Sequence, residues 1–475
     1  LTDEGAYRYI HSLWTMIENR RTTVNGRIIV GGKGRKHPKE ADVFLHIAMK
    51  VSKNCRYVEP QFTLRFDKDT SEEIWDEALD ALGAGATYPT LYNDDVNVPA
   101  VMYGMRVDEK AAEQYVPFGC TEFVIQGQST GTPNICINLL KLLTIYMNDG
   151  IDPIDGKRKS GPVSLKKLEE YQTFEEFYDG YKALLDYYLD LSVKAQYHSY
   201  EVMNQHVSFL FTSLLTDDCI ARGKALLDGG VRYLGGTNET YGNINTSDSL
   251  WVIRDLVFNQ KKYTLRQLND AMLANFNGYE ALRKDCLNCD KYGNDLETAD
   301  TMANDLYEFV AKGVRNRGIA IGMQYFLIVI SNNQLNTEWG NRTAASPDGR
   351  LSCMYMNPAN NPQGGANKSG PTAMLNSLAK FDAKYHGGSV QNIKFSPSMF
   401  NENRAVIKSL FKTYFAKGGC HLMVTVVDKG VLEDAVEHPE NYPDLIVRVS
   451  GFSAVFVDLS PNIQQELLSR VLYDE

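Results

Sequence analysis

Strand-like and helix-like segments alternate along the whole chain, which leaves few folds open to it. Arg27–Val30 is rich in β-branched residues and is followed by three glycines within four positions, a pattern that predicts a strand and then a turn. Gly318–Ile330 and His421–Val427 are apolar runs that predict buried strands. Strands that alternate with helices in this way predict the α/β class.

The longest helical pattern runs from Phe174 to about Leu215, where Leu, Tyr and Phe recur at three- and four-residue spacing. Further helices are predicted at Thr264–Cys286, Thr298–Val314, Thr372–Lys380, about Asn401–Lys417 and Val431–His438. Asn332–Ser369 is rich in Asn, Gly, Pro and Ser, which predicts a long loop of the kind that is functional or joins domains. We therefore predict a domain boundary near Ala345, with residues 1–345 and 346–475 as two domains.

The composition is that of an acidic globular protein. A formal net charge of −10 and a pI near 5.4 argue against nucleic acid or an anionic membrane as the main partner. The longest nearly apolar run, Gly318–Ile330, is shorter than the roughly 18–20 residues that a membrane span needs. The first residues lack the basic region of a signal peptide. They also lack an initiator Met, which is typical of a processed chain or a fragment.

Eight cysteines are spread from Cys55 to Cys420, too few for a disulfide framework in a chain of this length. Free thiols in a reducing cytoplasm are therefore expected. Cys286 and Cys289 form a CxxC pair, but neither a second CxxC pair nor a nearby histidine pair completes a four-ligand zinc set. We interpret the pair as incidental, with a redox or metal role as the alternative.

Cys120 and Glu122 are the first candidate site residues. If the segment after Pro117 and Gly119 is extended, these two side chains point to the same side and face one cavity. A neighbouring carboxylate raises the pKa of a thiol and makes the sulfur a poor polar nucleophile. The pair is better suited to a sulfur radical beside a carboxylate base. The alternative, a buried cysteine beside a solvated glutamate, is the one that spacing alone favours.

A glycine at position 451 interrupts the strand-like run from Leu445 to Asp458. Glycine weakens a strand, so a β-bulge or a turn is one interpretation. The other interpretation is a backbone radical on the Cα of Gly451. Because glycine has no Cβ, such a radical can flatten into the peptide plane, and the segment can pack tightly enough to exclude water and oxygen.

Two motifs make the chain resemble a known family. Arg448–Phe456 resembles the glycyl-radical fingerprint of pyruvate formate-lyase-like enzymes, and Gly119–Glu122 resembles their cysteine loop, in the form carried by the eliminating, dehydratase-type members. Other stretches are similar to the family as well: Asn93–Asp95 with Pro99, Ser346–Arg350, Gly370–Ala373, Gln391–Phe395 and Gly418–Leu422. The resemblance covers essentially the whole chain.

The chain departs from the family pattern at several points. Phe452 stands where Tyr is more usual after the radical glycine, and Thr121 stands where pyruvate formate-lyase itself has a second cysteine, so the resemblance does not imply formate-lyase chemistry. Asn134 stands where related diol dehydratases have an Asp for a substrate hydroxyl; an amide there can bind a hydroxyl but cannot act as a base. Family members also carry a large N-terminal region, with one half of the barrel, before the point where this chain begins.

The resemblance implies an α/β fold built on a ten-stranded barrel of two half-barrels, of which this chain carries the later part, surrounded by helices. Residues 1–345 would be the C-terminal portion of the barrel domain with the cysteine loop, and residues 346–475 the glycine radical domain. A separate radical-SAM iron–sulfur activase would install an oxygen-sensitive radical at Gly451, with no cofactor or metal bound to this chain. Cys120 would form a thiyl radical, Glu122 would be the base, and Asn134 would bind substrate.

The function that the resemblance implies is a cytoplasmic, homodimeric glycyl radical lyase that acts on a small molecule and neither on nucleic acid nor at a membrane. We predict a carbon–oxygen lyase, a dehydratase of a small hydroxylated substrate. One alternative is carbon–nitrogen or carbon–sulfur cleavage by the same machinery. A second is a non-catalytic fragment or a subunit that needs a partner chain. A third, a ligand-binding module, leaves the radical fingerprint without a purpose.

Overall fold

The computed structural model describes residues 2–20, 26–131, 134–331 and 334–474. The strands within these residues are β1 (Ile28–Gly31), β2 (Phe62–Phe66), β3 (Thr90–Asn93), β4 (Tyr115–Phe118), β5 (Glu122–Ile125), β6 (Ile135–Asn138), β7 (Gly235–Tyr241), β8 (Tyr325–Ile330), β9 (His386–Ser389), β10 (Asn392–Phe395), β11 (His421–Val426), β12 (Ile446–Arg448) and β13 (Ser453–Val455).

The α-helices of the same residues surround and connect these strands. They are α1 (Asp3–Asn19), α2 (Pro38–Cys55), α3 (Glu72–Gly83), α4 (Asp94–Met105), α5 (Glu109–Ala112), α6 (Leu139–Met147), α7 (Phe174–His206), α8 (Leu210–Leu214), α9 (Cys219–Arg222), α10 (Asn243–Val252), α11 (Leu265–Leu273), α12 (Glu280–Asn288), α13 (Glu297–Ala320), α14 (Leu335–Gly340), α15 (Gly370–Leu378), α16 (Pro397–Glu402), α17 (Arg404–Ala416), α18 (Lys429–Glu437) and α19 (Pro461–Ser469).

Two mainly parallel sheets form the centre of the molecule. The first has the order β1-β2-β3-β11-β10, in which β3 and β11 are antiparallel and the other neighbours are parallel. The second has the order β6-β7-β8-β9 and is parallel throughout. Only residues 390 and 391 separate β9 from β10, so one stretch of chain leaves the second sheet and enters the first. The two sheets are therefore joined along this stretch.

Most strands of the two sheets are buried along their whole length, as expected for parallel strands with both faces covered, whereas β1 and β6 are partly exposed. All six residues of β8, Tyr-Phe-Leu-Ile-Val-Ile, are buried, and α13 packs along this strand as well as against α7 and α10. Gly318 lets α13 pack closely against β8, because a Cβ at this position would collide with the side chain of Phe326 on that strand. The large core that results holds both sheets in place.

Two β-hairpins project from this framework. In the first, β4 pairs antiparallel with β5, and the register ends at Phe118 opposite Glu122. In the second, β12 pairs antiparallel with β13, and the register ends at Arg448 opposite Ser453. The second hairpin packs on a small separate core that contains Val427, Leu432, Ala435, Val447, Phe456, Ile463 and Leu467. The C-terminal segment thus has apolar packing of its own behind the hairpin.

Several predicted elements lie where the sequence pattern places them. The first predicted strand is β1, the predicted strand at His421–Val427 is β11, and α15 and α18 cover the helices predicted near residues 372–380 and 431–438. The helix predicted at Thr298–Val314 is the first part of α13. The helix predicted at about Asn401–Lys417 is α17, preceded by the short α16.

Three predicted boundaries are wrong. The helix predicted from Phe174 ends at His206, because Ser208 and Phe209 have φ values of 57° and 45°. The single helix predicted at Thr264–Cys286 is two helices, α11 and α12, separated by a turn in which Asn275 has a φ of 51°. Such left-handed residues cannot continue a right-handed helix.

The third error concerns the apolar run that begins at Gly318. Its first residues are the end of α13, and strand β8 begins only at Tyr325, after a turn in which Gly322 has a φ of 91°. The long loop predicted at Asn332–Ser369 contains the short helix α14, while Asn332 and Asn333 themselves lie outside the described residues. Apolar composition alone does not separate the end of a buried helix from a buried strand.

Among the helices of the described ranges, none joins the length to the sustained apolar character that a bilayer crossing requires.

Candidate active site

The candidate site is built around the tip of the β4–β5 hairpin, which carries Cys120. The turn consists of Gly119, Cys120 and Thr121, with φ values of 51° at Gly119 and 144° at Thr121. The expectation that Cys120 and Glu122 lie on extended backbone is therefore wrong: Cys120 occupies a reverse turn, and only Glu122 belongs to a strand. A φ of 144° is rare for a β-branched residue, so Thr121 marks local backbone strain at this turn.

A buried ion pair fixes the root of the same hairpin. Arg65 on β2 donates from Nε and Nη2 to the two carboxylate oxygens of Asp94, at 2.9 and 2.7 Å, and from Nη1 to the Tyr115 carbonyl oxygen at 2.9 Å. The Tyr115 hydroxyl donates to Asp94 at 2.9 Å. Asp94 lies within one of the stretches that resemble the family. Such a bidentate, hydrogen-bonded pair holds its neighbours in one geometry, so the start of β4 is rigidly placed.

The second hairpin brings Gly451 directly against Cys120. Gly451 lies in the turn between β12 and β13 and is buried. A Cβ built on Gly451 would lie 2.5 Å from both the Cβ and the Sγ of Cys120, and 2.4 Å from the Cys120 Cα. Real Cβ atoms do not approach heavy atoms this closely, so no larger residue fits here without a shift of one hairpin. The two hairpins therefore meet tip to tip.

The buried side chain of Arg448 stabilises the hairpin whose turn carries Gly451. The Arg448 side chain is 1% exposed. Its Nη1 donates to the Tyr88 hydroxyl at 3.1 Å and to the Ser453 hydroxyl at 3.3 Å, and its Nε lies 3.1 Å from the Met423 sulfur. Burial lowers the pKa of this guanidinium. Arg448 thus ties the glycine hairpin to the residues before β3 and to β11.

Glu122 is buried and both of its carboxylate oxygens have partners. Oε2 accepts a hydrogen bond of 2.9 Å from the Thr121 backbone N–H, and Oε1 accepts one of 3.2 Å from the amide of Asn134. The carboxylate folds back over the turn, since a Cβ at Gly119 would lie 2.8 Å from Oε2. Burial, and after it the negative charge of Glu239, raises the pKa of Glu122 to about 7. A carboxyl group with such a pKa can both accept and release a proton near neutral pH.

Asn134 lies beside Glu122, but its amide already has hydrogen-bond partners in the protein. Nδ2 donates to Glu122 at 3.2 Å and to Glu239 at 2.9 Å, and the amide oxygen accepts from the Thr237 hydroxyl. Asn134 thus bridges two carboxylates. The expected contact between this amide and a substrate hydroxyl remains a proposal.

Sequence reasoning missed Glu239, which lies on β7 and is 6% exposed. Its carboxylate also accepts from the Ser331 hydroxyl at 2.9 Å and from the Tyr241 hydroxyl. A sequence signal existed, because a glutamate in a strand buried along its whole length is rare unless the carboxylate is paired or functional. No strand was predicted for residues 235–241, so the burial of Glu239 could not be inferred from the sequence.

The Cys120 thiol lies in surroundings that keep it protonated. Burial raises its pKa well above the usual range, and the charges of Glu122 and Glu239 raise it further. The residue packs against Ala359, Val390 and Met423. A thiol held in this way carries a hydrogen atom on sulfur and is a poor thiolate nucleophile.

Two further residues support the cysteine turn and were not predicted. Arg27 donates from Nη2 to the Gly119 carbonyl oxygen at 2.6 Å and to the side-chain oxygen of Gln61. Gly388 on β9, with a φ of 139°, lies so close to Thr121 that a Cβ there would be 2.6 Å from the Thr121 hydroxyl oxygen. The turn is therefore fixed from both sides.

Two other groups of potential ligands lie outside this site. His46, Glu73 and Glu77 on α2 and α3 bring ligand atoms within 4.8 Å of one another, and His46 already pairs with Glu77 at 2.8 Å. In the CxxC pair, burial raises the pKa of Cys286 to about 12 and that of Cys289 to about 11. Such thiols behave as structural cysteines rather than as reactive thiolates.

Comparison with known proteins identifies the family. The pyruvate formate lyase-like family model matches residues 1–335, and the glycine radical model matches residues 356–457. Both hairpin tips of the site lie within these matches. The domain boundary near Ala345 falls between the two matched ranges and stays a prediction.

Similar proteins agree with these matches. Trans-4-hydroxy-L-proline dehydratase of Clostridioides difficile is 29% identical over 96% of this chain, and isethionate sulfite-lyase of Oleidesulfovibrio alaskensis is 27% identical over 94%. The chain spans 58% and 54% of the lengths of these relatives.

The fold agrees as well. The glycerol-bound B12-independent glycerol dehydratase from Clostridium butyricum superimposes with a TM-score of 0.90 at 28% identity, over 100% of this chain and 62% of that one. This likeness confirms the predicted α/β fold of the glycyl-radical barrel type, of which the chain carries part. The chain belongs to the pyruvate formate lyase-like family of glycyl radical proteins.

Proposed function

We propose that this chain carries the radical machinery of a glycyl radical carbon–oxygen lyase, a dehydratase of a small hydroxylated substrate. The observation that carries the proposal is the contact between Gly451 and Cys120, in which a Cβ on the glycine would lie 2.5 Å from the cysteine sulfur. The backbone of Gly451 and the side chain of Cys120 are therefore in direct contact, which a hydrogen-atom transfer between them requires. The contact joins the residue suited to store a radical with the residue suited to use it.

The relay starts with a radical on the Cα of Gly451, installed by a radical-SAM activase that acts as a separate partner. The glycyl radical takes the hydrogen atom from the Cys120 sulfur and leaves a thiyl radical. This step needs a neutral S–H group, because a thiolate has no hydrogen atom to give. The raised pKa of Cys120 supports the proposal, since it keeps the sulfur protonated.

The thiyl radical of Cys120 then abstracts a hydrogen atom from the substrate carbon that bears a hydroxyl group. The O–H of the resulting hydroxyalkyl radical is far more acidic than that of the parent alcohol, so Glu122 takes its proton. The ketyl radical expels the neighbouring hydroxide, which takes up the proton that Glu122 received and leaves as water. The product radical recovers its hydrogen atom from Cys120, and Gly451 is restored as the radical. The net change is the loss of one water molecule from the substrate.

The relatives support this class of reaction. One of them is named as a dehydratase of a hydroxylated amino acid, and one of the similar solved structures is the glycerol-bound form of a glycerol dehydratase. Carbon–sulfur cleavage by the same residues is the second candidate, because a sulfite-lyase is 27% identical to this chain. Glu122 would play the same part in both reactions, and only the leaving group would differ.

Further parts of the proposal follow from membership of the family. Residues 1–345 are assigned to the barrel portion with the cysteine loop, and residues 346–475 to the glycine radical domain. The functional protein is assigned to the cytoplasm as a homodimer. Asn134 is assigned to the substrate-binding wall through its position beside Glu122.

The experiment is anaerobic activation of the full-length gene product by a radical-SAM activase, followed by electron paramagnetic resonance spectroscopy. We expect a doublet from the one hydrogen on the Gly451 Cα, which collapses to a singlet when glycine deuterated at Cα is incorporated. A signal that keeps its splitting after deuteration would place the radical on another residue and contradict the proposal.

A further inference from the structure

Two buried carboxylates, Glu122 and Glu239, share one amide. Asn134 Nδ2 donates to Glu122 Oε1 at 3.2 Å and to Glu239 Oε1 at 2.9 Å. The two glutamates come from different parts of the fold, the cysteine hairpin and strand β7. The Thr237 hydroxyl donates to the amide oxygen and so orients the bridge.

The surroundings of Glu239 supply several hydrogen-bond donors to its carboxylate. It accepts hydrogen bonds from Asn134, from the Ser331 hydroxyl at 2.9 Å and from the Tyr241 hydroxyl. An ionised carboxyl group is an acceptor only, so three donors match its capacity. Donors that point at a carboxylate stabilise its charged form. Glu239 thus lies beside Glu122, and its negative charge is one of the causes that raise the pKa of Glu122.

The other groups that face Glu122 include three neutral side chains and one cation. They are Cys120 in the turn, Cys136 on β6, Tyr92 on β3 and Arg27 before β1. Burial raises the pKa of Cys136 to about 12 and also raises the pKa values of Cys120 and Tyr92, so these three are neutral. The Arg27 guanidinium lowers the pKa of Glu122 and so acts against Glu239, but its effect is the smaller of the two.

We propose that Glu239 is a positioning residue that acts on Glu122 through the Asn134 amide, holding the base carboxylate at the Cys120 turn and making it a stronger base by its own negative charge. The inference rests on the proposed function for the role of Glu122 as the base. It also explains why position 134 carries an amide. A carboxylate between two carboxylates would repel both, whereas an amide donates to both.

The test is an infrared titration of the unactivated full-length protein, in which the protonated carboxyl band of Glu122 is isolated by subtracting the spectra of Glu122→Gln. The subtraction is needed because burial also raises the pKa of Asp248 to about 7. In the parent protein we expect a midpoint near pH 7. In Glu239→Gln we expect the midpoint to fall by about one pH unit, because the like charge is gone.

A second variant separates this role from simple packing. Asn134→Ala removes a donor from the Glu122 carboxylate and leaves Glu239 charged, so we expect its midpoint to rise. Opposite shifts in the two variants support the inference, since loss of packing alone gives no reason for opposite signs. An unchanged midpoint in Glu239→Gln overturns it. If Glu239→Gln does not fold, an unchanged midpoint in Asn134→Ala overturns it instead.

The titration needs neither an activase nor a substrate, so its outcome is independent of the proposed function. If the activated protein gives no glycyl doublet, the proposed function fails whatever the titration shows. If the doublet forms and the midpoints do not move, only the role of Glu239 fails.

Discussion

The backbone of Gly451 lies against the side chain of Cys120 so closely that a Cβ on the glycine would be 2.5 Å from the sulfur. Both residues occupy the turns of β-hairpins, and each hairpin is held by its own buried arginine, Arg65 for the first and Arg448 for the second. Because the two turns are fixed independently, the gap between them is set by the fold. This relationship leads to the first prediction.

Gly451→Ala should abolish radical storage. The added methyl group overlaps Cys120 and also prevents the Cα from flattening within the turn, so we expect no doublet after anaerobic activation. Gly430→Ala is the matched control, because its Cβ would meet only the Asp428 carboxylate at 3.1 Å. A doublet of parent intensity in Gly451→Ala would show that the radical resides elsewhere.

Air should cleave the activated protein at Gly451. Oxygen adds to the carbon-centred radical and breaks the backbone, so we expect a C-terminal fragment that begins at about Phe452 in the mass spectrum. Protein that has not been activated should remain whole under the same exposure. Equal cleavage of both samples would indicate ordinary proteolysis of the turn.

Cys120→Ser should store the radical at the parent level and turn over no substrate. The serine O–H bond is too strong for a glycyl radical to break, so the radical remains on Gly451 and never reaches residue 120. Cys353→Ser is the control, since Cys353 is an exposed free cysteine on a loop. Spin quantitation together with product formation checks both statements. Turnover by Cys120→Ser would refute the relay.

Glu122→Gln should separate hydrogen abstraction from elimination. The amide cannot take the hydroxyl proton, so elimination should fall by roughly 10²–10⁴-fold, the usual contribution of a general base. Cys120 is unchanged, so deuterium should still exchange between the substrate carbon and the solvent-equilibrated sulfur. Activated protein with glycerol and 1,2-propanediol as probe substrates provides both rates. Elimination at the parent rate would remove Glu122 from the role of base.

The same variant should change the dependence of stability on pH. The pKa of Glu122 is raised from 4.5 to about 7, so the folded state binds the proton more tightly than the unfolded state. The parent protein therefore loses free energy of unfolding as the pH rises from 4.5 to about 7, by at most about 3 kcal/mol at about 1.4 kcal/mol per pH unit. Glu122→Gln has no carboxyl group at this position, so its free energy of unfolding does not fall for this reason as the pH rises.

Urea denaturation of the unactivated protein across this pH range measures the effect. We expect Glu122→Gln to gain stability relative to the parent as the pH rises. Glu402→Gln, at an exposed position, serves as the control for a generic loss of one negative charge. A constant difference between Glu122→Gln and the parent at all pH values would mean that Glu122 ionises as freely in the folded chain as in the unfolded one.

The sequence by itself determined the class of the fold and was enough to propose Cys120, Glu122 and Gly451 as site residues. The patterns of β1 and β11 are local, and so are the turn chemistry around Gly451 and the neighbourhood of Cys120 and Glu122 in the chain. Motifs of this kind need no knowledge of distant residues. For the same reason the family could be inferred from two short segments.

Only the tertiary structure decided which distant residues complete the site. The order of the strands brings Glu239 on β7 to the amide of Asn134 and brings the turn at Gly451 to Cys120. No periodicity within a segment encodes these contacts, because they depend on how sheets and hairpins pack. The helix ends that were misplaced, as at Ser208, depend likewise on backbone conformations that the packed fold imposes. The local chemistry could therefore be inferred from the sequence, whereas the charged and polar surroundings of Glu122 are evident only in the tertiary structure.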